Sequence, residues 1–232
     1  MSKKYLLFHG FGSTPDSYLN NKIVESLDLS FENDIVAPIL PGHTGVRENP
    51  INPSYVVENG IYGMINEGYK IIQDFVSFNE NNDMGFIGNS VGAYIFMNWL
   101  ESNQKNKFKN IVLFKPMFDL EHSLNNQDEA FKEVGISSLK NFLQFDSYSK
   151  KFNNNIKGTI DNPYKNLNEM IIFSGENDST VGNVQFMKDR LINSNVKYVN
   201  IPNTAHFSAT DLEMKLFKKE VINYLKLNTH FY

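Results

Sequence analysis

Cysteine is absent from the 232-residue chain. That excludes a disulfide framework, a thiolate metal site and a cysteine nucleophile. Covalent catalysis on this chain would have to use Ser, Thr, Asp, Glu, Lys, His or Tyr. Histidine is scarce, with only His9, His43, His122, His206 and His230, so few imidazole bases are available. Arginine is scarcer still, and the formal net charge of −4 argues against a nucleic-acid partner. Long apolar runs are missing too. The start, Met1-Ser2-Lys3-Lys4-Tyr5-Leu6-Leu7-Phe8, carries two charges but only a short apolar stretch. A secretory signal needs an apolar run of about 7–15 residues, and a membrane span needs about 18 or more. A cytoplasmic protein without a membrane span is therefore expected.

What the chain does have is alternation. Short apolar runs, bounded by Gly, Pro, Asn or Asp, occur at Tyr5–Phe8, Ile35–Leu40, Met84–Ile87, Ile111–Phe114, Met170–Phe173 and Val196–Ile201. Such runs read as buried parallel strands. Stretches of helical spacing separate them. A helix is predicted from Thr14-Pro15, with Leu19, Ile23, Val24 and Leu27 on one face. Others are predicted over 54–78, 91–101, 182–193 and 208–227. Gly60, Gly63 and Gly68 interrupt the second, each weakening it by about 1 kcal/mol relative to Ala. Six strands alternating with helices predict a doubly wound, mostly parallel six-stranded sheet of the α/β class. Residues 117–166 exceed an ordinary connection. They read as a small helical cap inserted into a core of 1–116 and 167–232, the alternative being one ordinary helix plus a disordered loop.

Gly88-Asn89-Ser90-Val91-Gly92 fits G-x-S-x-G and falls between a predicted strand and a predicted helix. A sharp turn there would expose the Ser90 hydroxyl at a helix N-terminus, where free N–H groups favour negative charge. Taken alone, the same residues also read as a helix-capping Ser between turn glycines. His9-Gly10-Phe11-Gly12 follows the first strand. If the second strand lies outside the first, the loops after strands one and three face each other at the switch point. The backbone N–H groups of Phe11 and Val91 then become candidates for an oxyanion hole. A dinucleotide loop is rejected, because Pro15 occupies the place of the third Gly and no acidic residue ends strand two. Neither a phosphate-binding loop nor a metal-ligand spacing such as H-E-x-x-H occurs, so neither cofactor nor metal is expected.

Strand five runs into Gly175-Glu176-Asn177-Asp178, and strand six into Thr204-Ala205-His206. Each end is the correct edge of the sheet for a site. Asp178 is the candidate acid, with Glu176 competing in the same turn and Asp119 a further candidate. His206 is the candidate base, with His43 a weaker one. His9 reads as ordering its loop, and His122 and His230 as solvated. Trp99 and Met97 read most simply as core, while the cap aromatics fit an acyl pocket and packing of the cap on the core equally.

With those residues in view, the sequence resembles the α/β-hydrolase superfamily, in the style of small bacterial carboxylesterases and monoacylglycerol-lipase-like hydrolases. The resemblance rests on His9–Gly12, Leu40-Pro41-Gly42-His43, Gly88–Gly92, Gly175–Asp178 and Ala205-His206. It implies Ser90 as nucleophile, His206 as base, Asp178 as its orienting acid, and the N–H groups of Phe11 and Val91 as oxyanion donors. One departure from the family is that strand one begins within the first five residues, so a sheet lacking the two leading strands of the full family fold is expected. The implied reaction is hydrolysis of a small-molecule carboxylic ester of small or medium acyl chain. An acyl thioesterase would use the same residues, with Lys115, Lys140, Lys150 and Lys151 as candidate contacts for coenzyme A phosphates. A non-catalytic binding protein is the remaining expectation. Either a monomer or a homodimer is compatible with the sequence.

Overall fold

The computed structural model describes residues 3–30, 34–103, 107–118, 120–126, 139–143, 170–181, 196–206 and 210–229. The chain opens with β1 (Lys3–Phe8), α1 (Tyr18–Ser26), β2 (Ile35–Val36) and α2 (Pro53–Phe78). The centre is β3 (Asp83–Asn89), α3 (Val91–Ser102) and β4 (Phe108–Phe114). Two short helices, α4 (Leu120–Asn126) and α5 (Leu139–Phe142), precede β5 (Met170–Gly175). A 3-10 turn at Ser179–Val181, β6 (Val196–Ile201) and α6 (Asp211–Thr229) complete the described elements. The six strands form one all-parallel sheet in the order β2-β1-β3-β4-β5-β6. The winding direction therefore reverses between β1 and β3, which places the loops after Phe8 and Asn89 side by side.

Strand side chains alternate between the two faces, and both faces are buried. Leu6, Phe8, Met84, Phe86, Ile111, Leu113 and Ile172 pack with residues of α2 and α3. Tyr5, Leu7, Ile87, Val112, Phe114 and Phe173 pack with residues of α1 and α6. Each fully buried Leu, Ile or Phe contributes about 1.5–3 kcal/mol. Helix α3 is buried on all sides from Val91 to Leu100, which explains its lack of a polar face. Phe86 stacks on Phe96, fixing the helix over β3.

Several predicted boundaries shift, three of them for reasons visible in the backbone. Helix α1 starts at Tyr18, after the Thr14-Pro15 start read from the sequence. Residues 14–17 form a turn in which Ser17 N–H donates to Thr14 O, and the Ser17 side chain caps the helix. Strand β2 shrinks to two residues, pairing only Tyr5 with Ile35 and Leu6 with Val36. Pro38 has no N–H to give a ladder, and Leu40 N–H is taken by the His9 side chain. Helix α2 begins at Pro53 behind an Asn52 cap, with Pro at its start as P-x-x helices favour. Most of the cap expected over 117–166, and the helix expected over 182–193, lie outside the described residues. Among the described residues no helix is long and apolar enough to cross a membrane.

Of the three glycines that interrupt α2 in sequence, Gly60 breaks it. Its backbone stands at φ 59°, ψ −164°, a region essentially confined to glycine. The break frees Ile61 N–H, which donates to Leu143 O just past α5 at 2.9 Å. The kink thus ties α2 to the short helix above it. Gly60→Ala is expected to lower the unfolding free energy by about 1–3 kcal/mol in urea titration, the cost of a side chain in that region. Unchanged stability would show that the break is not required.

Candidate active site

The site begins at a sharp turn. Between β3 and α3 the chain reverses through Ser90 alone, at φ 51°, ψ −119°. A positive φ on a residue with a Cβ costs about 1–2 kcal/mol. Two backbone bonds hold it there. Ser90 N–H donates to Phe114 O at 3.2 Å, and Met117 N–H donates to Ser90 O at 3.3 Å. Small neighbours make the turn sterically feasible. A Cβ at Gly92 would lie 2.6 Å from the carbonyl oxygens of both Phe8 and His9. The end of β1 therefore rests directly on the first turn of α3. A Cβ at Gly10 would lie 3.3 Å from that of Ser90, so the loop after β1 borders the serine.

The loops after β5 and β6 complete the constellation. Ser90 Oγ stands 2.9 Å from His206 Nε2, and His206 Nδ1 stands 2.8 Å from Asp178 Oδ2. The carboxylate can only accept, so Nδ1 carries a proton and Nε2 is left to accept from the serine hydroxyl. Asp178 Oδ1 accepts a further bond from Thr180 N–H at 3.0 Å. All three side chains belong to buried residues, at 5–7% exposure. The two loops are laced together, with Glu176 N–H donating to Ile201 O and Asn177 N–H to Thr204 O, each at 2.9 Å. Glu176, the competing acid, is exposed and accepts from Asn203 N–H. It braces the turn and leaves the imidazole to Asp178. Asp119 and His230 lie outside the described residues.

His9 and His43 build the neighbouring loop. His9 Nε2 accepts from Leu40 N–H, and its Nδ1 donates to Gly10 O. His43 Nε2 accepts from Gly12 N–H, and its Nδ1 donates to Pro41 O. The rings meet edge to face at 4.7 Å, and Phe11 packs on His43. Both imidazoles must be neutral to accept these N–H bonds. Burial pushes the His9 pKa down to about 3, with His43 adding a smaller repulsion. Burial also lowers that of His43. These bonds fix the loop that carries Phe11, while Val91 is the first residue of α3, where backbone N–H groups have no helical partner. His43 is thereby committed to Gly12. His122, expected in solvent, is exposed but donates to Ser179 O beside Asp178.

Lys115 corrects one expectation. It is fully buried and ion-paired, so it cannot meet a phosphate at the surface. The side chain of Lys140, and Lys150 and Lys151 entirely, lie outside the described residues. Sequence reasoning missed what Lys115 holds. The available signal was a lysine placed directly after an apolar strand, Ile111 to Phe114. Among the described residues no group of three or more His, Asp or Glu could hold a metal ion.

The sequence matches no protein-family model and no curated protein. Solved structures do match. An esterase of Pyrococcus furiosus is similar at a TM-score of 0.67 and 17% identity, over 97% of this chain and 82% of that one. A soluble variant of the Saccharomyces cerevisiae monoglyceride lipase gives 0.60 and 16%, over 97% and 85%. Carboxyl esterase 2 of Tuber melanosporum gives 0.61 and 16%, over 96% and 77%. This chain has the α/β-hydrolase fold. Within that fold, Ser90 occupies the strand-to-helix elbow, and Asp178 and His206 follow in the chain order described for α/β-hydrolases.

The neutral histidine pair has a pH consequence. A His buried neutral has a folded pKa below its unfolded value near 6.5. Between those two values the unfolded chain binds one more proton than the folded chain. Stability is thus retained above pH ~6.5 and lost as pH falls toward the folded pKa, by about 1.4 kcal/mol per unit for each such group. For His9 the window runs from the unfolded value down to about 3. Urea titrations from pH 7 to 4 should show this slope. It should flatten by up to one proton in His9→Gln relative to wild type; equal slopes would contradict a neutral His9.

Proposed function

We propose that this chain is a serine hydrolase that cleaves carboxylic esters of small or medium acyl chains through an acyl-enzyme on Ser90. The observation that carries this is the buried line from Ser90 Oγ through His206 to Asp178, starting at a strained strand-to-helix turn. The esterases and the lipase among the similar structures support the reaction class.

In this mechanism the Ser90 hydroxyl attacks the acyl carbonyl while His206 Nε2 takes its proton. Asp178 fixes the tautomer and stabilises the imidazolium as it forms. The N–H groups of Phe11 and Val91 receive the oxyanion, each contributing about 3 kcal/mol. His206 then protonates the leaving alcohol. Water, activated by the same imidazole, releases the acid and restores Ser90.

Ser90→Ala should remove nearly all turnover of 4-nitrophenyl esters, by at least about three orders of magnitude, with the fold intact by circular dichroism. Asp178→Asn should lower kcat by about 10⁴, because the amide permits the wrong tautomer. A panel of acyl lengths, run as matched esters and thioesters, reads out chain length and leaving group. Wild-type turnover in Ser90→Ala would overturn the assignment. So would failure of a fluorophosphonate to label Ser90 in folded wild type, which would instead indicate a binding protein.

A further inference from the structure

Beneath the Ser90–His206 contact lies a buried ion pair that the reaction itself does not use. Lys115 Nζ stands 2.6 Å from Glu213 Oε1, and both side chains are fully buried. Burying two charges is unfavourable for folding, and apolar replacements are often as stable. The pair therefore calls for an explanation other than stability, and its remaining contacts supply one.

Lys115 Nζ also donates to Ala205 O at 2.6 Å, the carbonyl immediately before His206. The ammonium lies 5.1 Å from the Phe114 ring, which gives it a further favourable surface. Lys115 N–H donates to Phe173 O on β5, at 2.7 Å. The residue itself stands at φ 46°, a strained backbone for lysine. Phe114, directly before it, and Met117, two residues after it, both hold the Ser90 backbone. Burial lowers the lysine pKa, opposed by Glu213 and, through space, by Asp178. Glu213 is equally committed. Its Oε2 accepts from Thr210 N–H and its own N–H donates to Thr210 Oγ1, a reciprocal cap on α6. One buried residue thus connects the brace of the serine, the strand leading to Asp178, the loop carrying His206, and the helix that follows it.

We propose that Lys115, held by Glu213, is a positioning residue that sets His206 at proton-transfer distance from Ser90 by clamping the Ala205 carbonyl. It touches no substrate and acts through the loop. The inference rests on the serine-hydrolase reading for its kinetic consequence, but not for its structural one.

The test compares wild type with Ser90→Ala, Lys115→Met, the double variant Lys115→Met/Glu213→Leu, and Lys109→Met as a surface control. Lys109 pairs with Asp83 at a half-exposed site far along β4 from its end, and its variant should match wild type. Ester hydrolysis and the low-field proton NMR signal of the His206 Nδ1–H to Asp178 bond are measured for each. Lys115→Met should lower kcat 10- to 100-fold with KM within twofold, and should broaden or remove the low-field signal. The double variant leaves neither charge buried without its partner, at the cost of the Glu213 side-chain cap on α6, and circular dichroism checks that it is folded. It should show the same kinetic and NMR losses, because the Ala205 clamp is still missing. Wild-type kcat and an unchanged NMR signal in the folded double variant would overturn the inference. Full activity in Ser90→Ala would overturn the hydrolase reading alone, leaving the NMR comparison to decide the clamp.

Discussion

The structure depends on one turn, the single-residue reversal at Ser90. A parallel strand must become a helix there with no intervening loop, and the geometry forces a positive φ on a residue with a side chain. Such strain persists only where the surroundings over-determine it. Here they do so from two directions. The end of β4 and Met117 just past it bond the backbone N–H and C=O of Ser90, and the end of β1 rests on the first turn of α3 where Gly92 leaves no side chain. The all-buried helix α3, its Phe96 stacked on Phe86 of β3, then holds the turn from behind. Much of the sheet order can be understood as the arrangement that brings these braces together.

The surroundings of the turn divide into two supports. On one side, two neutral histidines shape the loop after β1, each accepting one backbone N–H and donating to one carbonyl. Neutral imidazole suits this task because it is both donor and acceptor, and a buried position favours the uncharged form. On the other side, a buried cation and carboxylate tie the loop after β6 to the end of β4. Charged groups suit that task because their bonds are short and strong, and a mispaired alternative would be very unfavourable. The hydroxyl of Ser90 lies between a neutral network and an ionic one.

The boundary shifts have a common cause. Strand β2 stops early because Pro38 offers no donor and a histidine captures the N–H of Leu40, a contact from 31 residues away. Helix α2 breaks at Gly60, where the freed N–H finds Leu143 O. Helix α1 starts late because Thr14 and Ser17 satisfy a turn locally. In each case a backbone group chose between a local partner and a distant one.

Local pattern therefore determined a great deal about this protein. Apolar runs bounded by turn residues marked six strands, the G-x-S-x-G spacing marked the elbow, and position at strand ends marked Asp178 and His206. These follow from the sequence because periodicity and turn chemistry are properties of neighbours in the chain. Only the tertiary structure decided which of Asp178 and Glu176 meets the imidazole, since both occupy one turn and differ in the direction they face. Only it committed His43 to Gly12, and only it buried Lys115 against Glu213 and Ala205. Those pairings join residues 28 to 98 positions apart, and no local pattern encodes a partner at that range. They come into being when the sheet assembles and sets the ends of its strands side by side.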